Sequence, residues 1–299
     1  MESQQPPRRV GESVSGEAVS QDTKKFKSMA EQIEYLEGKD TNYVFLFGEP
    51  AAGKTAVCAS LFLHLSSPQE KLGDMEEFRY EDDTRYQKND LNLLNTIRDA
   101  VRNRRFPART DVGSLSHVNI RYRPIKRSKP PISVTFLEMA GDDLQKVEST
   151  KDSLGNLPTD IDVFFKADRD KVSMLFVLVT SHQNAVKNDK LMVNFLDYII
   201  AQDLRFRDSR ILLLISQWDT YVGDKDVKDF IQDRMPFTWS KLGKSTNAYR
   251  YFTLGVIKDV DGNPYVAKYD EEPARKVFHW IYHTITGKHL ESWWSRISF

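Results

Sequence analysis

The sequence predicts a three-layer α/β fold with a mostly parallel sheet and one antiparallel hairpin strand. Three observations predict it. The runs YVFLF, SMLFVLVT and ILLLIS are apolar throughout, as strands buried on both faces are. They alternate with segments whose apolar residues recur at helical spacing, the pattern of a parallel sheet covered by helices. HVNIRYRPI and ISVTFLEM are two further strand-like runs joined by a basic, Pro-containing turn, which reads as a hairpin.

Residues 1–22 are polar and rich in Pro, Gly and Ser without periodicity, the composition of a disordered tail. From residue 23, Phe26, Met29, Ile33 and Leu36 recur at helical spacing and predict a leading helix. Tyr43–Phe47 is the first strand, and Lys54 to Leu65 a strongly apolar helix. Residues 67–115 form an insert with an acidic stretch, EEFRYEDDTRY, and a helix over DLNLLNTIRDAVRNRRF. Leu91, Leu94, Ile97 and Val101 give that helix one apolar face. After the hairpin comes a polar stretch, then the strand SMLFVLVT, the helix LMVNFLDYIIAQDL and the strand ILLLIS. The helix VKDFIQDRM, the strand YFTLGVIKD and the helix PARKVFHWIYHTIT complete a domain expected over residues 23–289. An aromatic peptide, 290–299, follows.

Lys plus Arg and Asp plus Glu both total 43 in 299 residues. This balance removes a whole-protein charge argument for nucleic acid or an anionic membrane. Cys58 is the one cysteine, so no internal disulfide forms, which fits a reducing compartment. No apolar stretch approaches the roughly 20 residues of a spanning helix. The first residues lack the apolar core of a signal peptide. The expected location is cytoplasmic.

Gly48-Glu49-Pro50-Ala51-Ala52-Gly53-Lys54-Thr55 fits the pattern G-x-x-x-x-G-K-[ST] between a strand and a helix. Gly48 and Gly53 permit backbone angles that other residues resist. The backbone N–H groups from Gly48 through Ala56, including those of Glu49, Ala51, Ala52 and Gly53, can then turn onto phosphate oxygens. Lys54 would reach the terminal phosphates, and Thr55 would offer its hydroxyl to Mg²⁺. The competing reading is a strand–turn–helix connection that matches by chance.

At the end of the second hairpin strand, Glu138 is followed three residues later by Gly141. An acid there can hold Mg²⁺. A glycine N–H there can contact the γ-phosphate and release its loop when that phosphate leaves. An ordinary turn is the alternative. The strand Ile211–Ile215 runs into Ser216-Gln217-Trp218-Asp219. An acid beyond a central parallel strand lies at the carboxyl edge, where nucleotides bind. The two oxygens of Asp219 can accept from guanine N1–H and N2–H₂, a pair of donors adenine lacks. Around Leu254, the stretch Thr253-Leu254-Gly255 can supply N–H groups to the guanine oxygen. The alternative for Asp219 is a cap on the following helix.

With these three places in hand, the chain resembles the translation-factor-related class of phosphate-loop GTPases, which includes Ras-like proteins. The resemblance spans about residues 42–287. The insert and aromatic tail are similar to the double-GTPase group of bacterial conflict systems. The resemblance implies a P-loop domain that binds GTP and GDP with Mg²⁺, with Lys54 and Thr55 as its phosphate and magnesium residues. It places Glu138 and Gly141 at Asp-x-x-Gly, and Ser216, Gln217 and Asp219 at Asn-Lys-x-Asp. Thr110 is the candidate that completes the magnesium shell, with Thr84 and Thr96 as alternatives. Asp142 stands where Ras-like members hold a water-orienting Gln. A carboxylate there is repelled by the γ-phosphate, which implies slow hydrolysis or a base supplied elsewhere.

Arg109, beside Thr110, is a candidate charge stabiliser in cis; the alternatives are a solvated helix face and basic loop, or a contact of this arginine run with a partner or nucleic acid. Trp293, Trp294 and Phe299 either dock on the domain or form a partner-binding or membrane-surface peptide. Cys58 and His64 read as core, and the remaining histidines form no metal spacing. The expected function is a GTP-binding switch with slow hydrolysis that signals to a protein partner through mobile loops. The alternatives are an ATP-using P-loop enzyme and a nucleotide-binding scaffold without turnover.

Overall fold

The computed structural model describes residues 28–67, 72–77, 115–139, 148–150, 153–155, 159–168, 170–202, 210–242, 249–260 and 263–291. The expected tail, most of the insert, the loop after Met139 and residues 292–299 lie outside them. In chain order the strands are β1 (Asn42–Phe47), β2 (Gly73–Glu77), β3 (Leu115–Pro124), β4 (Ile132–Met139), β5 (Glu148–Thr150), β6 (Ser153–Gly155), β7 (Ser173–Ser181), β8 (Ile211–Ser216), β9 (Tyr249–Tyr251), β10 (Gly255–Val260) and β11 (Asn263–Tyr269). The helices are α1 (Met29–Glu37), α2 (Lys54–Ser66), α3 (Thr159–Lys166), α4 (Ala185–Gln202), α5 (Val227–Arg234), α6 (Pro236–Leu242) and α7 (Glu272–Thr286).

Seven strands form one sheet in the order β2-β3-β4-β1-β7-β8-β9. β4, β1, β7, β8 and β9 pair in parallel. β3 runs against both β4 and β2. The hairpin strand is therefore the single reversed strand, as its short turn requires. β1 alternates its faces with the period of two that a strand imposes. Tyr43, Phe45 and Phe47 join one core with α3, α4 and α5 residues. Val44 and Leu46 join the other with α2 and α7. Three layers follow from that alternation. Phe47 stacks on Phe195 of α4 at 3.7 Å between ring centres, and Tyr122 meets Phe278 of α7 edge-on at 4.8 Å.

The structure differs from the sequence reading in several places. YFTLGVIKD is two strands, not one. β9 closes the main sheet, the chain breaks at residues 252–254, and β10 pairs with β11 in a separate hairpin. β2 lies in the segment read as a helical insert and pairs along β3. The polar stretch before β7 contains the helix α3, whose Val163, Phe164 and Phe165 are buried. The leading helix begins at Met29, where the Ser28 hydroxyl accepts the Glu31 N–H at 3.2 Å.

Among the described residues no helix is long and apolar enough to cross a membrane. Cys58 and His64 are buried in α2, as expected, and His64 Nδ1 lies 2.7 Å from Glu271 Oε1.

Candidate functional site

Parallel strands end at one edge of their sheet, and the loops that follow them gather there. β1 leads into the loop from Gly48 to Thr55, β4 ends at Glu138 and Met139, and β8 leads into Gln217 and Asp219. Register fixes the neighbours: Leu46 lies opposite Glu138, and Ser181 opposite Ser216.

The loop is held in a conformation suited to inward N–H groups. Gly53 has φ 89° and Ala51 φ 60°, both left-handed. Ala51 bears a Cβ there, which costs about 1 kcal/mol. Gly48 corrects the sequence reading, because it is not among the residues of positive φ. A Cβ on Gly48 would lie 2.1 Å from the Val179 carbonyl oxygen of β7. Glycine is required there by close approach, not by backbone angle.

Lys54 is 5% exposed and folds over the loop. Its Nζ donates to the Gly48 carbonyl at 2.9 Å and the Glu49 carbonyl at 3.0 Å. Thr55 Oγ1 donates to Glu138 Oε1 at 2.5 Å. The two residues assigned to a metal ion from sequence thus meet directly. Glu138 is 3% exposed. Its charge, after burial itself, raises the pKa of the Cys58 thiol, against a smaller opposite effect from Lys54.

The segment after β8 is tied to the same loop. Ser216 Oγ donates to the Ala52 carbonyl at 2.5 Å, with the Thr180 carbonyl 3.2 Å away. Gln217, at φ 56°, donates through Nε2 to the Ala51 carbonyl at 3.0 Å. These two side chains hold the loop by the carbonyls of Ala52 and of the left-handed Ala51. Trp218 turns into an aromatic group, stacked on Tyr221 at 4.4 Å and edge-on to Phe230 at 5.3 Å.

Asp219 follows in a single 3₁₀ turn, Trp218–Thr220. The helix-cap alternative is not what the structure shows. α5 is capped by Asp226, whose side chain accepts the Asp229 N–H at 2.8 Å. Asp219 Oδ1 instead accepts from Thr253 Oγ1 at 3.0 Å, and that hydroxyl accepts the Gly255 N–H at 2.9 Å. This brings Leu254 to the same edge, its carbonyl accepting the Asp270 N–H at 3.0 Å. His182 lies alongside, its Nε2 2.8 Å from Thr220 Oγ1. Burial lowers the pKa of its ring, against the opposing charge of Asp219.

Sequence reasoning missed two features. The Thr253 hydroxyl fixes Asp219, whereas the sequence marks Thr253 only as part of a backbone-donor stretch. The Glu49 side chain is buried at the β7–α4 junction, whereas the sequence pattern speaks only for its backbone N–H. An acidic residue at a variable loop position was the available signal. Arg109, Thr110, Gly141 and Asp142 lie outside the described residues.

No protein-family model matches the chain, and no curated protein matches it significantly. Three solved structures illustrate its similarities. A dimerization-deficient mutant of Toc33 from Arabidopsis thaliana is 11% identical over 87% of this chain and 93% of that chain, with a TM-score of 0.45. The Ski7 GTPase-like domain of S. cerevisiae, bound to GTP, is 14% identical over 85% and 52%, with a TM-score of 0.39. Roco2 RocCORdC of Methanosarcina barkeri, bound to GDP, is 14% identical over 72% and 44%, with a TM-score of 0.32. The chain spans about half or less of the Ski7 and Roco2 chains. The fold class stands on this chain's own features. Its strand order, loop and hairpin make a three-layer α/β fold with a mostly parallel sheet and one reversed hairpin strand.

Proposed function

We propose that the chain is a Mg²⁺-dependent, guanine-nucleotide-binding switch that hydrolyses GTP slowly. The observation that carries this reading is the way one sheet edge is fastened together. Ser216 and Gln217 hold the phosphate loop by its Ala52 and Ala51 carbonyls, while the same segment presents Asp219. A phosphate site and a base-reading acid are thereby built as one unit.

In this reading, loop N–H groups and Lys54 bind the phosphates, and Lys54 exchanges a loop carbonyl for phosphate oxygen. Asp219 accepts from the guanine edge, with Thr253 setting its carboxylate. The donor set fits Mg²⁺, because a hydroxyl and a carboxylate oxygen are both hard oxygen ligands. Thr55 and Glu138 would hold the ion, with Thr110 as the further candidate. When bound, it neutralises charge on the phosphate oxygens. Gly141 would contact the γ-phosphate and couple its loss to partner-reading loops. Arg109 would stabilise charge in cis, and Asp142 would leave unaided turnover slow.

Titration of the folded protein with GTP, GDP and ATP, with and without Mg²⁺, tests the reading. Wild type is expected to prefer guanine nucleotides and to lose affinity for GTP when Mg²⁺ is chelated. Lys54→Ala is expected to lose tight binding of all three while its unfolding transition stays in place. Equal affinity of wild type and Lys54→Ala would end the phosphate-site assignment.

A further inference from the structure

Glu49 places a carboxyl group in a loop that otherwise gathers donors. Its side chain is withdrawn from solvent, and the residue is 2% exposed. Both carboxyl oxygens lie 3.5 Å from the Thr180 hydroxyl. The Asn184 side chain and the Ser181 N–H also donate to it. Asn188 Nδ2 donates in turn to Thr180 Oγ1 at 3.2 Å. Among the described residues, the charged groups near Glu49 are cations. Lys54 comes from α2 and Lys187 from α4, where it borders a cavity of about 220 Å³ shared with Glu49, Pro50, Asn184 and Asn188. That polar cavity has room for several waters, so protons can reach the carboxyl group.

A carboxylate here and the phosphates of a nucleotide are like charges in a poorly screened place. Their repulsion is larger than it would be in water. Neutralising Glu49 removes it. Burial already pushes its carboxyl group above the ordinary glutamate range, against the hydrogen bonds from Asn184, Ser181 and Thr180 and the charge of Lys54.

We propose that Glu49 is a specificity-determining residue of the phosphate loop: nucleotide binds together with a proton taken up on Glu49, and the loop therefore favours the less charged diphosphate as pH rises. This rests on the guanine-nucleotide reading above. The proton comes from solvent, and no covalent bond changes. A group whose pKa is higher in the complex than in the free protein strengthens binding at low pH. The gain is lost as pH rises through the window between those two values.

Calorimetric titration of wild type and Glu49→Gln with Mg²⁺-GDP and Mg²⁺-GTP tests this. Two buffers of different ionisation enthalpy are used at each pH between about pH 5 and about pH 8, from just above the ordinary glutamate range upward. Wild type is expected to take up more protons per nucleotide than the variant, by up to about one. Its affinity should weaken with pH more steeply than the variant's, by up to about tenfold per pH unit, and more for GTP than for GDP. Glu49→Gln should gain GTP affinity at the alkaline end. Glu49→Ala gives the same readout if the glutamine variant does not fold. Equal proton counts and equal slopes in wild type and variant would overturn the proposal while leaving nucleotide binding intact. If wild type binds neither nucleotide, the proposed function fails and this inference with it.

Discussion

Gly48 shows why a residue's chemistry must be read in three dimensions. The sequence pattern marks it as a conformationally free glycine, yet its constraint is the Val179 carbonyl 2.1 Å from where a Cβ would lie. Backbone cannot give way as a flexible side chain can. Gly48→Ala should therefore push β1 and β7 apart at the loop and destabilise the fold by about 1–3 kcal/mol or more. Chemical denaturation measures this, and an unchanged midpoint would contradict the close approach. The Thr55–Glu138 contact was legible as two candidate ligands because residue type and strand position both pointed there. The roles of Thr253 and of the Glu49 side chain were not, because each depends on a partner far away in sequence.

At the level of elements, the buried strands were legible because apolar runs leave little alternative. The break between β9 and β10 was hidden, because YFTLGVIKD reads continuously while Gly255 takes φ 110° against the Lys268 carbonyl. β2 was hidden as well. GDMEE carries one apolar side chain, and its strand conformation comes from pairing with β3. The C-terminal segment docks on α7 and the hairpin turn as far as Glu291. Leu290 is 3% exposed, Arg275 pairs with Glu291, and Lys129 donates to the His289 and Leu290 carbonyls. His279, on α7, faces Glu291, Arg275, His64 and Lys129. Burial, set against the charge of Glu291, lowers its pKa from 6.5 to about 4. The folded state thus binds fewer protons than the unfolded state between those values, so stability falls as pH drops from about 6.5 to about 4. Thermal unfolding across that range should show a steeper decline in wild type than in His279→Gln. Parallel curves would contradict a buried neutral imidazole.

At the scale of the whole molecule, the sheet edge joins the proposed phosphate loop to Asp219, and the identity of the base is the proposal on which the rest depends. Asp219→Asn converts one carboxylate acceptor into an N–H₂ donor facing the guanine amino group. Asp219 is exposed in the free protein, and donor set against donor, screened from water by the bound base, costs about 1–3 kcal/mol. Xanthine carries an oxygen in place of that amino group and accepts from the new donor. Because Ser216 and Gln217, not Asp219, fasten the phosphate loop, the substitution leaves the loop in place. The deciding measurement is competition among GTP, ATP and xanthosine triphosphate for wild type and Asp219→Asn. Wild type should select GTP, and the variant should lose GTP and gain xanthosine triphosphate. A wild type that prefers ATP, or a variant that keeps its GTP preference, would contradict the guanine assignment.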